Sequence, residues 1–121
     1  MRLNRAALTR DEAAWFITNV QLMVEQLEKV PQAMERRTGK VMKRLLEETK
    51  GLSDDLERSP DVQSFDVMTS PKERRHLRGL LADTLLKLRL YIKGLEGKNE
   101  EPTEGLSERT DLILKMIRKF R

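Results

Sequence analysis

Ser70-Pro71-Lys72-Glu73-Arg74-Arg75-His76-Leu77-Arg78-Gly79-Leu80-Leu81-Ala82-Asp83-Thr84-Leu85-Leu86-Lys87-Leu88-Arg89-Leu90-Tyr91-Ile92-Lys93-Gly94 decides the fold class of this 121-residue chain. A serine followed three residues later by glutamate is a capping box, in which each side chain satisfies a backbone N–H at the start of a helix. Pro71 occupies the first helical position, where a missing N–H costs nothing. Gly94 can take the left-handed conformation that ends many helices. Leu77, Leu81, Leu85, Leu88, Ile92 and Leu95 recur at intervals of three and four, so they share one face. The stretch predicts a helix over 70–94.

Working outward, Thr9-Arg10-Asp11-Glu12 is a second capping box and opens a helix predicted over 10–30. Phe16, Val20, Met23, Leu27 and Val30 form its seam, flanked by Trp15 and Leu22 on one side and Ile17 and Val24 on the other. So wide an apolar arc exceeds what one neighbour covers, which points to two neighbouring helices or a partner chain. Residues 1–8 are expected to form a loose N-terminal arm. Proline inside a helix removes a hydrogen bond and clashes with the preceding turn, at a cost of about 3 kcal/mol. Pro31 therefore either kinks one long helix or separates two, and a break near Val30-Pro31 is the preferred reading.

Met34, Thr38, Val41, Leu45, Leu52 and Leu56 mark a helix predicted over 32–57. Ser59-Pro60-Asp61 reads as the start of one short turn that tucks in Val62 and Phe65. The polar, breaker-rich residues 96–103 read as an exposed linker. A last helix is predicted over 104–120, with Leu106, Ile113, Met116, Ile117 and Phe120 on its buried face. Its acids lie near the start and its bases near the end, which complements the helix dipole. No internal repeat and no strand-like alternation stands out. The expected architecture is a single all-α domain over 1–121, a four-helix bundle-like fold.

The chain carries 24 Lys and Arg against 20 Asp and Glu, a formal net charge of +4, and 36% of its residues are charged. Such a chain can be disordered, but 38% of its residues are hydrophobic and strongly periodic, which argues for a fold with a core. Without cysteine it has no disulfide, thiolate metal site or cysteine nucleophile. The longest uncharged run, Ala13 to Val24, is too short to cross a bilayer and is interrupted by Thr18, Asn19 and Gln21. With no signal peptide in view, the expectation is a cytoplasmic protein with no membrane partner.

Catalytic readings lack parts. His76 is the only histidine. Glu73 and His76 match half of a helical di-metal site, which needs two such pairs, and the capping box already explains Glu73. Glu25 and Glu28 form one acidic pair without a matching set. There is no glycine-rich phosphate loop and no nucleophile elbow. The chain is expected not to be an enzyme and to hold no cofactor or metal.

Three surface features remain. Arg36, Arg37, Lys40, Lys43 and Arg44 fall within an arc of about 120° on the second helix. Such a row of cations suits a nucleic-acid backbone; the plainer reading is a solvated face in which Arg44 pairs with Glu48 and Lys43 with Glu47. Lys72, Arg74, Arg75 and His76 crowd a helix start, where the dipole prefers acids, and form a candidate anion site. The plainer reading pairs them with Asp54, Asp55 or Asp66. Leu86 and Leu90 project nearly opposite Leu88 and, with Trp15 and Leu22, form a candidate protein interface. The alternative is that all of it is intramolecular core. The favoured expectation is a non-catalytic helical assembly or adaptor protein that forms a homo-oligomer or joins a larger assembly. The other is a basic, sequence-independent nucleic-acid-binding protein or small subunit of a nucleoprotein complex.

Overall fold

Two six-residue strands, each ending where a capping box begins, frame the chain. The computed structural model describes residues 2–32, 36–98 and 104–121, without the side chains of Arg37 and Glu104. Strand β1 (Asn4–Thr9) runs into helix α1 (Arg10–Glu28), followed by α2 (Arg37–Arg58). Strand β2 (Ser64–Thr69) runs into α3 (Pro71–Gly97), followed by α4 (Glu104–Lys119). Both capping boxes are closed. Thr9 Oγ1 accepts from the Glu12 N–H at 3.2 Å while Glu12 Oε1 accepts from the Thr9 N–H at 2.8 Å. Ser70 and Glu73 repeat the exchange at 3.2 and 2.7 Å.

The chain is mostly helical, 76%, but the two strands make a small antiparallel sheet, so the fold is not purely all-α. Residues 4–8 of the expected loose arm are held in β1, with Ala6 opposite Val67 and Leu8 opposite Phe65. Burial alternates along both strands: Ala6 and Leu8 point inward on one, Phe65, Val67 and Thr69 on the other. Each strand carries only two or three inward residues, and its partner lies about sixty positions away in the register shown. Neither fact is visible in a local window, which is why the alternation escaped notice.

Helix ends also shift. Helix α1 stops at Glu28 and Val30 lies at a bend, so the break before Pro31 is real; Pro31 and Gln32 are helical, and α2 proper starts at Arg37. Met34, from the expected second seam, lies outside the described residues. Gly94 does not end α3, which runs on to Gly97 with Lys98 as its C-cap. Half-buried Leu95 continues the apolar face past Gly94. Of the expected linker, residues 99–103 lie outside the described residues, and Glu96 and Gly97 belong to α3.

The element order is βαα followed by βαα, and the two units correspond at a set of cap and core positions. Adding 61 carries Thr9 onto Ser70 and Glu12 onto Glu73, and the buried Phe16, Val20 and Val24 onto the buried Leu77, Leu81 and Leu85. The same shift carries buried Leu45 and Leu52 onto buried Leu106 and Ile113. It also relates Thr49 and Thr110, whose hydroxyls each donate to a carbonyl one turn back in their own helix. Ala6 maps onto Val67, its own partner across the sheet, so the strand pair is symmetric about that rung. No sequence repeat is evident because the correspondence is confined to such positions: Ala13 falls on Arg74, Asp55 on Met116 and Ser59 on Phe120. The inward faces of both units form one core, closed by Phe16 stacked on Phe120 with ring centroids 6.2 Å apart.

Candidate interaction surfaces

The start of α3 lies against α2, and the two helices border a groove of about 630 Å³ lined by Lys40, Val41, Arg44, Ser70, Pro71, Lys72 and Glu73. Arg44 and Glu73 form its structural corner. Arg44 Nε donates to Glu73 Oε2 at 2.5 Å and Nη2 donates to Glu73 Oε1 at 2.7 Å, a two-pronged pair. The same guanidinium donates to Glu48 Oε1 at 2.7 Å and to the Met68 carbonyl at 2.5 Å. Hydrogen bonding to Glu73 raises the Arg44 pKa against the opposing effect of burial. Burial alone would push the Glu73 carboxyl up, but hydrogen bonds from Arg44 and from the Ser70 backbone N–H hold it below the usual glutamate range. Arg44 is therefore committed to the fold. Lys40 and Lys72, both exposed, have no carboxylate within ion-pair distance among the described residues.

A second groove, of about 370 Å³, lies at the start of α1 against the later turns of α4. Its charge is inverted. Asp11, Glu12, Glu108 and Asp111 line it, with Lys115 and Lys119. Here Lys119, from the end of α4 rather than from the position that matches Arg44, donates to Glu12 Oε1, and buried Glu12 Oε2 has no hydrogen-bond partner. Asp11 takes the place of Lys72, so this helix start carries the acid that its dipole favours.

Other arginines close the ends of the chain's helices. Arg10 donates to the carbonyls of Leu56 at 3.2 Å, Ser59 at 2.5 Å and Val62 at 2.8 Å, and its guanidinium carbon lies 5.0 Å from the centre of the Phe65 ring. Arg74 donates to Thr69 Oγ1 at 2.9 Å and to the carbonyls of Arg121 and Arg5, each at 3.1 Å. Arg78 donates to the Phe120 carbonyl at 3.1 Å. Both units thus use arginine to satisfy carbonyls at the end of their second helix.

The sequence-defined clusters are redistributed accordingly. Of the basic stripe, Arg36, Lys40 and Lys43 are exposed, Arg44 is half-buried in its ion pairs, and the Arg37 side chain lies outside the described residues. Glu47 pairs with Lys50 at 3.2 Å rather than with Lys43. Of the second cluster, Lys72 joins Lys40 at the groove, Arg75 is exposed, and Arg74 is taken up by carbonyls and Thr69 rather than by Asp54, Asp55 or Asp66. His76 lies instead beside Gly79, Leu80 and Asp83 in a groove shared with α1 and α2.

The apolar candidates separate as well. Trp15 is partly buried against the core and lines a groove with Thr84, Leu88 and Leu112. Leu22 is 49% exposed on α1, whereas Leu86, Leu90 and Tyr91 of α3 are 56, 61 and 58% exposed. From Leu86 to Gly97 no residue of α3 is fully buried. Tyr91 was missed because it lies off both apolar faces of the helical wheel.

No family model matches this chain, and comparison with curated proteins and with solved structures finds no match. Among the described residues, no helix is long and apolar enough to cross a membrane, and no three of His, Asp and Glu gather into a group that could hold a metal ion.

Proposed function

We propose that this protein is a non-catalytic, cytoplasmic assembly or adaptor protein, a helical bundle with a β-ribbon, that acts by self-association through the outward face of α3. The observation that carries this reading is the exposure of Leu86 and Leu90, more than half open to solvent one turn apart on the side of α3 away from the core. Two neighbouring exposed leucines on a helix whose own seam is already buried at Leu77, Leu81 and Leu85 suggest a second apolar contact. Light scattering across a range of concentrations tests it. The expected result is a mass above the 14.1 kDa monomer, returning to the monomer in a Leu86→Glu/Leu90→Glu variant that keeps its helical circular dichroism. A monomer at every concentration rejects the reading.

A second reading is supported by the convergence of Lys40 and Lys72, from two different helices, on the groove beside α3. Two uncommitted cations flanking a helix start favour a phosphate backbone, read by charge and shape without base specificity. Titration of labelled duplex DNA, single-stranded DNA and RNA tests it. Affinity should fall with salt and drop further in Lys40→Glu/Lys72→Glu; no binding at low salt rejects it.

A further inference from the structure

The outward face of α3 is palindromic. Centred on Leu88, the stripe that contains Leu86 and Leu90 reads Gly79, Ala82-Asp83, Leu86, then Leu90, Lys93-Gly94, Gly97, all exposed; the exposed Lys87 and Arg89 flank it, and Lys87 lies 3.0 Å from Asp83. A leucine lies two positions to either side of the centre. Asp83 and Lys93, opposite in charge, lie five to either side. Ala82 and Gly94, both small, lie six to either side, and two glycines lie nine to either side. At 3.6 residues per turn these positions make one stripe about five turns long, with Gly79 and Gly97 in line with its middle. A Cβ added at Gly79, Gly94 or Gly97 would meet nothing within 4 Å, so no contact among the described residues requires a glycine at any of the three.

We infer that α3 pairs with α3 of a second copy, antiparallel, about a two-fold axis near Leu88. The inference rests on the self-association proposed above and specifies its geometry. A two-fold interface brings each patch against itself, so the patch must be self-complementary when reversed. Reversal about Leu88 sets Leu86 of each copy beside Leu90 of the other, which makes a cluster of four leucines. It sets the Ala82-Asp83 turn against the Lys93-Gly94 turn, so each contact has one small residue and one opposite charge from each copy. It sets Gly79 against Gly97, where the absence of side chains lets the backbones approach. A parallel pair would instead place Asp83 beside Asp83 and Lys93 beside Lys93, and would align the two helix dipoles. At the Gly79 end the stripe borders a shallow groove with Met23, Met42 and Leu80 in its lining, which extends the apolar contact beyond a single helix.

Because the chain has no cysteine, engineered thiols report this geometry without background. Gly79→Cys and Gly97→Cys are prepared separately, checked for helical content, and treated with a short bis-maleimide alone and as a mixture. The expected result is crosslinked dimer in the mixture only, because residues 79 and 97 lie about 27 Å apart along one helix at 1.5 Å per residue. Each variant crosslinking with itself overturns the antiparallel pairing and shows a parallel one. No crosslinking in the mixture, while light scattering still shows a dimer, overturns the use of this stripe but leaves self-association standing. A monomer by light scattering removes the proposed function as well. A charge exchange gives an independent readout: Asp83→Lys weakens association several-fold, and Asp83→Lys/Lys93→Asp restores it, because the antiparallel contact is between these two positions. A double variant no tighter than the single one overturns the inference.

Discussion

The two βαα units share a frame and differ in how they finish it. In both, a strand ends in a hydroxyl cap, the third helical residue is a buried glutamate, and a cation from the other unit's neighbouring helix reaches that glutamate. In the second unit the cation is Arg44, whose planar fork satisfies both carboxylate oxygens. In the first it is Lys119, a point charge that serves one oxygen and leaves Glu12 Oε2 without a partner. The difference separates what the fold requires from what each copy of the motif can spare. A buried, cap-bound glutamate is common to both; a fully satisfied one is not. Likewise α1 ends after 19 residues, while α3 continues to 27 and carries the exposed stripe.

The largest expected effect comes from Arg44. Its removal strands a buried carboxylate, so Arg44→Ala should lower the free energy of unfolding by about 3–5 kcal/mol, read by urea denaturation. Lys119→Ala should cost less, about 1–3 kcal/mol, because Glu12 keeps its Thr9 N–H and has one unpaired oxygen already. Equal losses would mean that the arginine fork brings nothing the lysine lacks.

Acid should act through the same contrast. The Glu73 carboxyl titrates below its unfolded range in the native protein, so the unfolded chain binds the proton first as pH falls. The stability due to this pairing is complete above the unfolded glutamate value, about 4.3. It is lost as pH drops through the lower folded value. A Glu73→Gln variant should start less stable at neutral pH and show a flatter acid limb than the parent chain. An unchanged limb would show that Glu73 does not govern acid unfolding.

Smaller effects test the caps and the stripe. Thr9→Ala and Ser70→Ala should each cost about 1 kcal/mol, the usual worth of a side-chain cap. Gly79→Ala should act in two directions. In an exposed helix interior with open space around the added methyl, it should stabilise the chain by up to about 1 kcal/mol. It should also weaken association by holding the paired helices apart. Thermal denaturation reads the first effect and light scattering the second; tighter association would contradict close approach at Gly79.

What the sequence made legible was local. Thr9 with Glu12 and Ser70 with Glu73 are three apart, and the seams of α1 and α3 repeat within a turn, so start signals and buried faces could be read directly. Pro31 marked its break for the same reason. What escaped depends on distant residues. Ala6 and Leu8 become a strand only because Val67 and Phe65 lie opposite them. Arg44 looked like one more surface cation, since its acidic neighbours in sequence, Glu47 and Glu48, offer only a pair within its own helix. The partner that withdraws it from the surface, Glu73, is 29 positions away. Gly94 is a stop signal in isolation, yet the helix continues because Leu95 follows on the inward face. The exposed leucines of α3 were visible on the helical wheel, whereas the convergence of Lys40 and Lys72 was not.

Hydrogen exchange followed by mass spectrometry at low and high protein concentration tests the central claim, self-association through the outward face of α3, most directly. Because the two units are equivalent in frame, α1 serves as the internal control for α3. Amides of α3 from Gly79 to Gly97 should gain protection as concentration rises, while those of α1 from Ala13 to Val20, away from the Met23 groove, stay unchanged. Concentration-independent exchange throughout α3, or a gain confined to another face, would contradict it.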